Sequence, residues 1–252
     1  MTILIYIYLF ALGAVLGSFY NVVALRVPAG ESIVSPPSRC PRCGTRLTGR
    51  DLVPIASWLL SRGRCRHCKA PVSPLYPLGE AATGLLFVWV YASFGWSAAA
   101  LIGLLLVSLC VIVTVSDLAT MLIPNKVLLF FAPILAMACL LLPNDIPWWS
   151  HLLGAAAGGG ILLLIVIVSK GGMGLGDVKL FAVLGFVIGL PNTAVALVTA
   201  CLAGTLVGGA LVALGVVRRK QPVPFGPFLA LGACLAYAYG ADAIDYYLSL
   251  FT

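Results

Sequence analysis

Hydrophobic positions fall in long runs punctuated by Gly, Pro and charged residues. The runs are Thr2–Leu25, Pro77–Phe94, Ala98–Ser116, Lys126–Leu142, Ser150–Ser169, Val178–Leu190, Thr193–Val217 and Phe225–Leu250. Crossing the hydrocarbon core of a bilayer takes roughly 20 residues as a helix, because any other path leaves backbone N–H and C=O groups unpaired in lipid. The pattern predicts an all-α polytopic membrane protein with about eight transmembrane helices. The sixth run is short and is expected to tilt against its neighbours or to run on past Pro191. No Lys or Arg precedes the first run, and the first basic residue, Arg26, follows it, which predicts a retained span and not a signal peptide.

Composition agrees with the pattern: 62% of the residues are hydrophobic and 9% are charged, far from the mix of a soluble domain. Charge adds orientation. Arg26, Arg39, Arg42, Arg46, Arg50, Arg62, Arg64, Arg66 and Lys69 lie before or within the first connection. Lys126, Lys170, Lys179 and the Arg218-Arg219-Lys220 run mark the third, fifth and seventh, while Asp145, Asp242 and Asp245 fall on the opposite side. Loops rich in Lys and Arg stay in the cytoplasm, so both termini are expected outside. The net charge of +7 is then mostly a topology signal, with weak attraction to anionic lipid as a by-product, and it does not argue for nucleic acid. Glycine-rich stretches at Gly154–Gly160 and Gly204–Gly209 sit inside apolar helices with no preceding strand, so they are expected to be helix contacts and not phosphate loops.

The chain divides into a first transmembrane helix (1–25), a polar loop (26–76) and a transmembrane core (77–252). The loop carries Cys40-Pro41-Arg42-Cys43 and Cys65-Arg66-His67-Cys68, two knuckles with the spacing of a four-thiolate structural zinc site. A loop this small cannot bury enough apolar surface to fold alone, and metal binding would supply the missing free energy. Two disulfides or a redox pair are the alternatives; a reducing cytoplasm disfavours the first, and the lack of a thioredoxin-like context disfavours the second. His67 is expected to be a solvated neighbour. Cys110, Cys139, Cys201 and Cys234 sit singly in apolar runs and are expected to be small packing residues.

Two acids stand where acids are expensive. Asp117 ends the third span before Leu118-Ala119-Thr120-Met121-Leu122-Ile123-Pro124-Asn125, and Asp177 opens the sixth within Gly171-Gly172-Met173-Gly174-Leu175-Gly176-Asp177-Val178-Lys179. A carboxylate near lipid costs a few kcal/mol unless it is paired, hydrated or protonated, which makes it a functional-site candidate. Two carboxyls that approach closely cannot both ionise cheaply, so one serves as acid and the other as base toward a water attacking a peptide carbonyl. The plainer reading is that each acid caps a helix or meets Lys126 or Lys179.

In this order, several segments are similar to bacterial type IV prepilin peptidases: Gly17-Ser18-Phe19-Tyr20-Asn21-Val22-Val23, the two knuckles, Tyr76-Pro77-Leu78-Gly79-Glu80, the Asp117 segment through Ile123-Pro124-Asn125, Gly171 to Lys179, and Pro224-Phe225-Gly226-Pro227-Phe228. The Gly-x-Gly-Asp at Gly174 to Asp177 also occurs in presenilin-type intramembrane proteases. The resemblance implies that Asp117 and Asp177 are catalytic, with Gly174, Gly176 and Lys179 supporting substrate and loop. It implies cleavage of prepilins or pseudopilins after a glycine at the cytoplasmic boundary of a bacterial inner membrane. It also implies methylation of the new amino terminus with S-adenosylmethionine, to which Glu80 contributes, although no dinucleotide-type fingerprint is present. Leu75, Gly79 and Asn125 depart from the family's pattern, the first two at positions expected to loosen the junction of loop and second span. Glu31, Asp51 and Glu80 are the acids expected to meet a basic leader. A proton-coupled transporter is the rival reading; it would place its acids near the midplane of related halves.

Overall fold

The computed structural model describes residues 2–144, 146–169, 172–218 and 223–251. Asp145, Lys170, Gly171, Arg219 and Lys220, used above for topology and motif, lie outside the described residues. Nine α-helices follow in order: α1 (Thr2–Arg26), α2 (Ala56–Leu60), α3 (Leu75–Phe94), α4 (Ala98–Thr120), α5 (Asn125–Leu141), α6 (Trp148–Val168), α7 (Leu175–Ile188), α8 (Leu190–Ala213) and α9 (Gly226–Ser249). All but α2 correspond to the eight apolar runs, and among the described residues there is no strand, only isolated bridges Arg39–Arg46 and Arg64–Pro71 within the knuckles.

The helix bounds differ from the apolar runs by at most four residues, outward at seven ends and inward at six. Ser97 accepts the Ala100 N–H at 3.1 Å and starts α4. Met121 at φ 54° ends α4 in a left-handed turn whose N–H donates to the Asp117 carbonyl at 2.8 Å. The sixth run does not continue past Pro191. The chain breaks at Gly189, φ 76°, and Pro191 sits in the first turn of α8, where its missing N–H costs nothing. The result is a helix α7 of 14 residues, too short for a straight crossing of roughly 20.

Close packing of small residues pairs the helices. A Cβ on Gly13 of α1 would lie 2.8 Å from the Gly84 Cα of α3. Gly154 of α6 and Gly185 of α7 face one another so closely that a Cβ on either would strike the other's carbonyl, and Gly232 of α9 sits in the same way against the Ala196 carbonyl of α8. Lipid provides no hydrophobic drive between helices, so such backbone approach is how they gain van der Waals contact. The expectation for the glycine runs holds at Gly154, Gly158 and Gly159, but Gly160, Gly208 and Gly209 face open space. α4 is the central span, packed on α1, α3, α5 and α9, with 67% of its apolar window buried. Cys110, Cys139 and Cys234 are buried as packing residues; Cys201 instead is exposed on α8, whose outer face meets no other helix there.

Candidate active site

The end of α4, the turn after it, the start of α7 and the start of α9 converge at one end of the bundle. Asp117 lies one turn before the end of α4 and is 5% exposed; Asp177 is the third residue of α7 and is 9% exposed. Asp117 stands against the first residue of α9, and the first turn of α7, which carries Asp177, packs on Ile123 in the turn just after α4. Neither meets Lys126 or Lys179, so the plainer reading as surface pairs does not describe this site; Lys179 instead donates to Asn125 Oδ1 at 3.1 Å.

Each acid is held differently. The Gly226 N–H at the start of α9 donates to Asp117 Oδ2 at 2.9 Å, fixing one oxygen of that carboxylate. A Cβ on Gly226 would stand 2.8 Å from the same oxygen, so only glycine lets the backbone come this near. Asp177 Oδ1 is buried with no hydrogen-bond partner, a costly state that a donating water would relieve, or a substrate carbonyl when that oxygen carries the proton. The Gly174 carbonyl accepts the Asp177 N–H at 3.2 Å, and a Cβ on Gly176 would come within 3.0 Å of the Ile123 Cβ. Gly176 is therefore the contact that seats the first turn of α7 against the turn after α4. That turn is itself pinned by Ser116 Oγ donating to the Leu122 carbonyl at 2.7 Å.

The four loop cysteines gather with all thiol sulfurs within 4.8 Å of one another, and Cys40 and Cys68 Sγ are 3.8 Å apart. A tetrahedron with metal–sulfur bonds of about 2.3 Å has edges of about 3.8 Å, so the set fits a tetrahedral thiophilic ion and can hold a metal. Cys40 and Cys65 are buried and Cys43 is exposed. Hydrogen bonds from the Thr45 hydroxyl and backbone hold the Cys43 thiol down at about 6, while N–H groups of Cys68 and His67 lower that of Cys65. Donors aimed at sulfur favour the thiolate, the form that ligates metal. His67 is exposed and outside the cluster, as expected.

Glu80 is 8% exposed and its Oε2 accepts the Ile55 N–H at 2.7 Å. Asn21 of α1 donates to the Tyr76 carbonyl at 2.9 Å, and its Oδ1 is buried without a partner beside Gly79. The departures at Leu75 and Gly79 do not loosen this junction: Leu75 packs against the core, and glycine at 79 makes the room Asn21 occupies. Of the acids proposed to meet a basic leader, Asp51 is occupied by Thr48 and by Arg66 at 3.4 Å, and Glu80 is buried; Glu31 alone is exposed and uncommitted among them.

Comparison with known proteins gives the family. Residues 11–94 match the bacterial peptidase A24 N-terminal domain, and residues 104–209 match the type IV leader peptidase family. A prepilin leader peptidase/N-methyltransferase of Bacillus subtilis (strain 168) is 43% identical over 242 residues, covering 96% of this chain and 97% of that protein. This chain belongs to the type IV leader peptidase family. Relatives of the same name from Aeromonas hydrophila (34% identical, 97% of this chain, 93% of that protein) and Stutzerimonas stutzeri (31%, 94% and 91%) are also similar along nearly their whole length. No solved structure matches. Nothing among the leader peptidases found supports the transporter reading. Three contacts of these candidate residues were invisible in sequence: the Gly226 N–H on Asp117, the Asn125–Lys179 bond, and, at the junction of loop and α3, the Ile55–Glu80 bond. Only the Pro-Phe-Gly-Pro-Phe motif around Gly226 gave any signal for the first.

Proposed function

We propose that this chain is a membrane-embedded aspartyl endopeptidase that removes the leader of type IV prepilins or pseudopilins after a glycine, and methylates the new amino terminus with S-adenosylmethionine. The observation that carries the proposal is that helices far apart in sequence bring buried Asp117 and Asp177 to one end of the bundle, with one oxygen fixed by Gly226 and one left unpartnered. Full-length similarity to prepilin leader peptidase/N-methyltransferases supports the substrate and both activities.

In the proposed reaction the two carboxyls share one proton. The ionised member takes a proton from a water as its oxygen attacks the scissile carbonyl, and the protonated member donates to that carbonyl oxygen. The tetrahedral intermediate collapses as the carboxyl that gained the water proton gives it to the leaving amine. Gly226 holds Asp117 in register for this exchange. The unpartnered Asp177 oxygen is the natural seat for the water or the carbonyl.

The basic residues of the first connection support placing the cysteine loop and the aspartates in the cytoplasm. Zinc on Cys40, Cys43, Cys65 and Cys68 is proposed as the loop's staple, with the loop taken as 26–76 between a first span and a peptidase core of 77–252. For methyl transfer, S-adenosylmethionine supplies an electrophilic methyl group on a sulfonium. The carboxylate of Glu80 and the orphaned Asn21 Oδ1 are acceptors that suit a cationic cofactor in charge, and Glu80 is proposed to contribute there. Incubation of the purified protein with a prepilin-like peptide and S-adenosylmethionine, read by mass spectrometry, is the test. A product cut after glycine and heavier by one methyl group is expected. An intact peptide would reject the peptidase, and a cut, unmethylated product would reject the transferase.

A further inference from the structure

The cysteine loop exposes a set of large apolar side chains that no other described residue covers. Leu52, Val53, Leu59 and Leu60 are 43%, 49%, 61% and 79% exposed, in and beside the short helix α2. Their depth is fixed by the neighbouring residue Ile55. Its N–H donates to Glu80, the sixth residue of α3 and therefore roughly 7–8 Å inward along that helix. Glu80 is in turn level with Gly17 of α1, whose Cβ would stand 2.9 Å from the Glu80 Cα. Gly17 lies nine residues before the last residue of α1, Arg26, which is about 13 Å of helix. The segment thus folds back alongside the spans and below their ends.

Its backbone suits that depth. The N–H groups of Leu52, Ser57, Leu59 and Ser61 are donated inside the loop, and that of Ile55 goes to Glu80, so little remains that needs water. Just beyond α2 follow the exposed Arg62 and Arg64. An apolar wedge followed at once by cations is the charge pattern of a segment lying in a bilayer interface, with side chains among acyl chains and guanidinium groups at anionic phosphates.

We propose that residues 52–60 form an interfacial wedge in the leaflet on the cysteine-loop side, seated by Glu80, whose occupant is bilayer phospholipid and which places the metal-holding knuckles against the membrane surface. Glu80 is in this a positioning residue, acting through Ile55.

The test uses the full chain in nanodiscs with roughly one-third anionic lipid. Photoreactive p-benzoylphenylalanine replaces Leu60 in one sample and Arg42, on the first knuckle, in another. Mass spectrometry after irradiation is expected to find phospholipid adducts at least about five-fold more abundant at 60 than at 42, with yield at 60 falling in purely zwitterionic discs. Equal yields at the two positions, or adducts at 60 to protein instead of lipid, would overturn the proposal. Glu80→Ala is expected to lower the yield at 60, whereas Glu80→Gln, which keeps an oxygen for the Ile55 N–H, is expected to preserve it. An unchanged yield in Glu80→Ala would remove Glu80 from the seating role. Adduct mapping reads position and not catalysis, so it stands or falls apart from the peptidase assignment.

Discussion

The four cysteines of the loop and the two buried aspartates are specified in opposite ways. Each knuckle brings its two thiols together within one tight turn, closed by the Gly44 N–H on the Cys40 carbonyl at 2.9 Å and the Lys69 N–H on the Cys65 carbonyl at 3.0 Å. The aspartate site has no local shape of its own. It exists because α4, α7 and α9 end at the same level, and its fixed contacts, Gly226 to Asp117 and Lys179 to Asn125, span 109 and 54 positions of chain. The loop should therefore fail when the metal proposed for it is removed, and the aspartate site when its alignment is lost.

The largest separation of the two regions is expected from Asp117→Asn or Asp177→Asn. Either should lower prepilin cleavage by roughly 10²–10⁴-fold while the bound-metal content stays at the wild-type level; gel analysis of precursor together with metal analysis reads both. Unimpaired cleavage in either variant would end the dyad proposal. The converse variant, Cys40→Ser with Cys65→Ser, should abolish metal retention and open the loop to trypsin at its arginines, because the loop has no apolar core to fall back on. Helix content by circular dichroism should barely change. If the metal-free loop keeps its protease resistance, the staple assignment is wrong.

Smaller effects probe alignment alone. Gly226→Ala pushes a methyl toward Asp117 Oδ2 and should cost up to roughly 10²-fold in kcat, the scale of a displacement of about 1 Å, with little change in thermal midpoint. Gly154→Leu should instead destabilise the α6–α7 pair by about 1–3 kcal/mol through overpacking, lowering the midpoint and moving activity only through the seating of Asp177. Asn125→Ala removes one exposed hydrogen bond and should cost on the order of 1 kcal/mol or less, seen as a several-fold drop in cleavage at most. An effect of Asn125→Ala as large as that of Asp177→Asn would show that Lys179 has a direct part in the reaction.

Much of the architecture was legible in the chain because lipid punishes any unpaired backbone: eight apolar runs had to be helical, and each is a helix among the described residues, although α5 and α7 are shorter than a full crossing. The misreadings occur where packing overrides pattern. Pro191 looked like a possible interior residue of a long helix, whereas Gly189 breaks the chain before it. Gly208 and Gly209 looked like a contact stripe but meet nothing. Gly79 looked like a weak point and is the seat of Asn21.

Composition and order of residues were sufficient for the solvent, the run of apolar helices, the spacing of the cysteine knuckles and the two unusual acids, since each depends on run length or near neighbours. Only the folded chain decided that Gly226 supports Asp117, that Asp177 keeps an oxygen unsatisfied, and that Glu80 accepts the Ile55 N–H of the loop. Those depend on which helix ends share a level, a question settled by close backbone contact between distant glycines, and a glycine in a sequence does not say what it will touch.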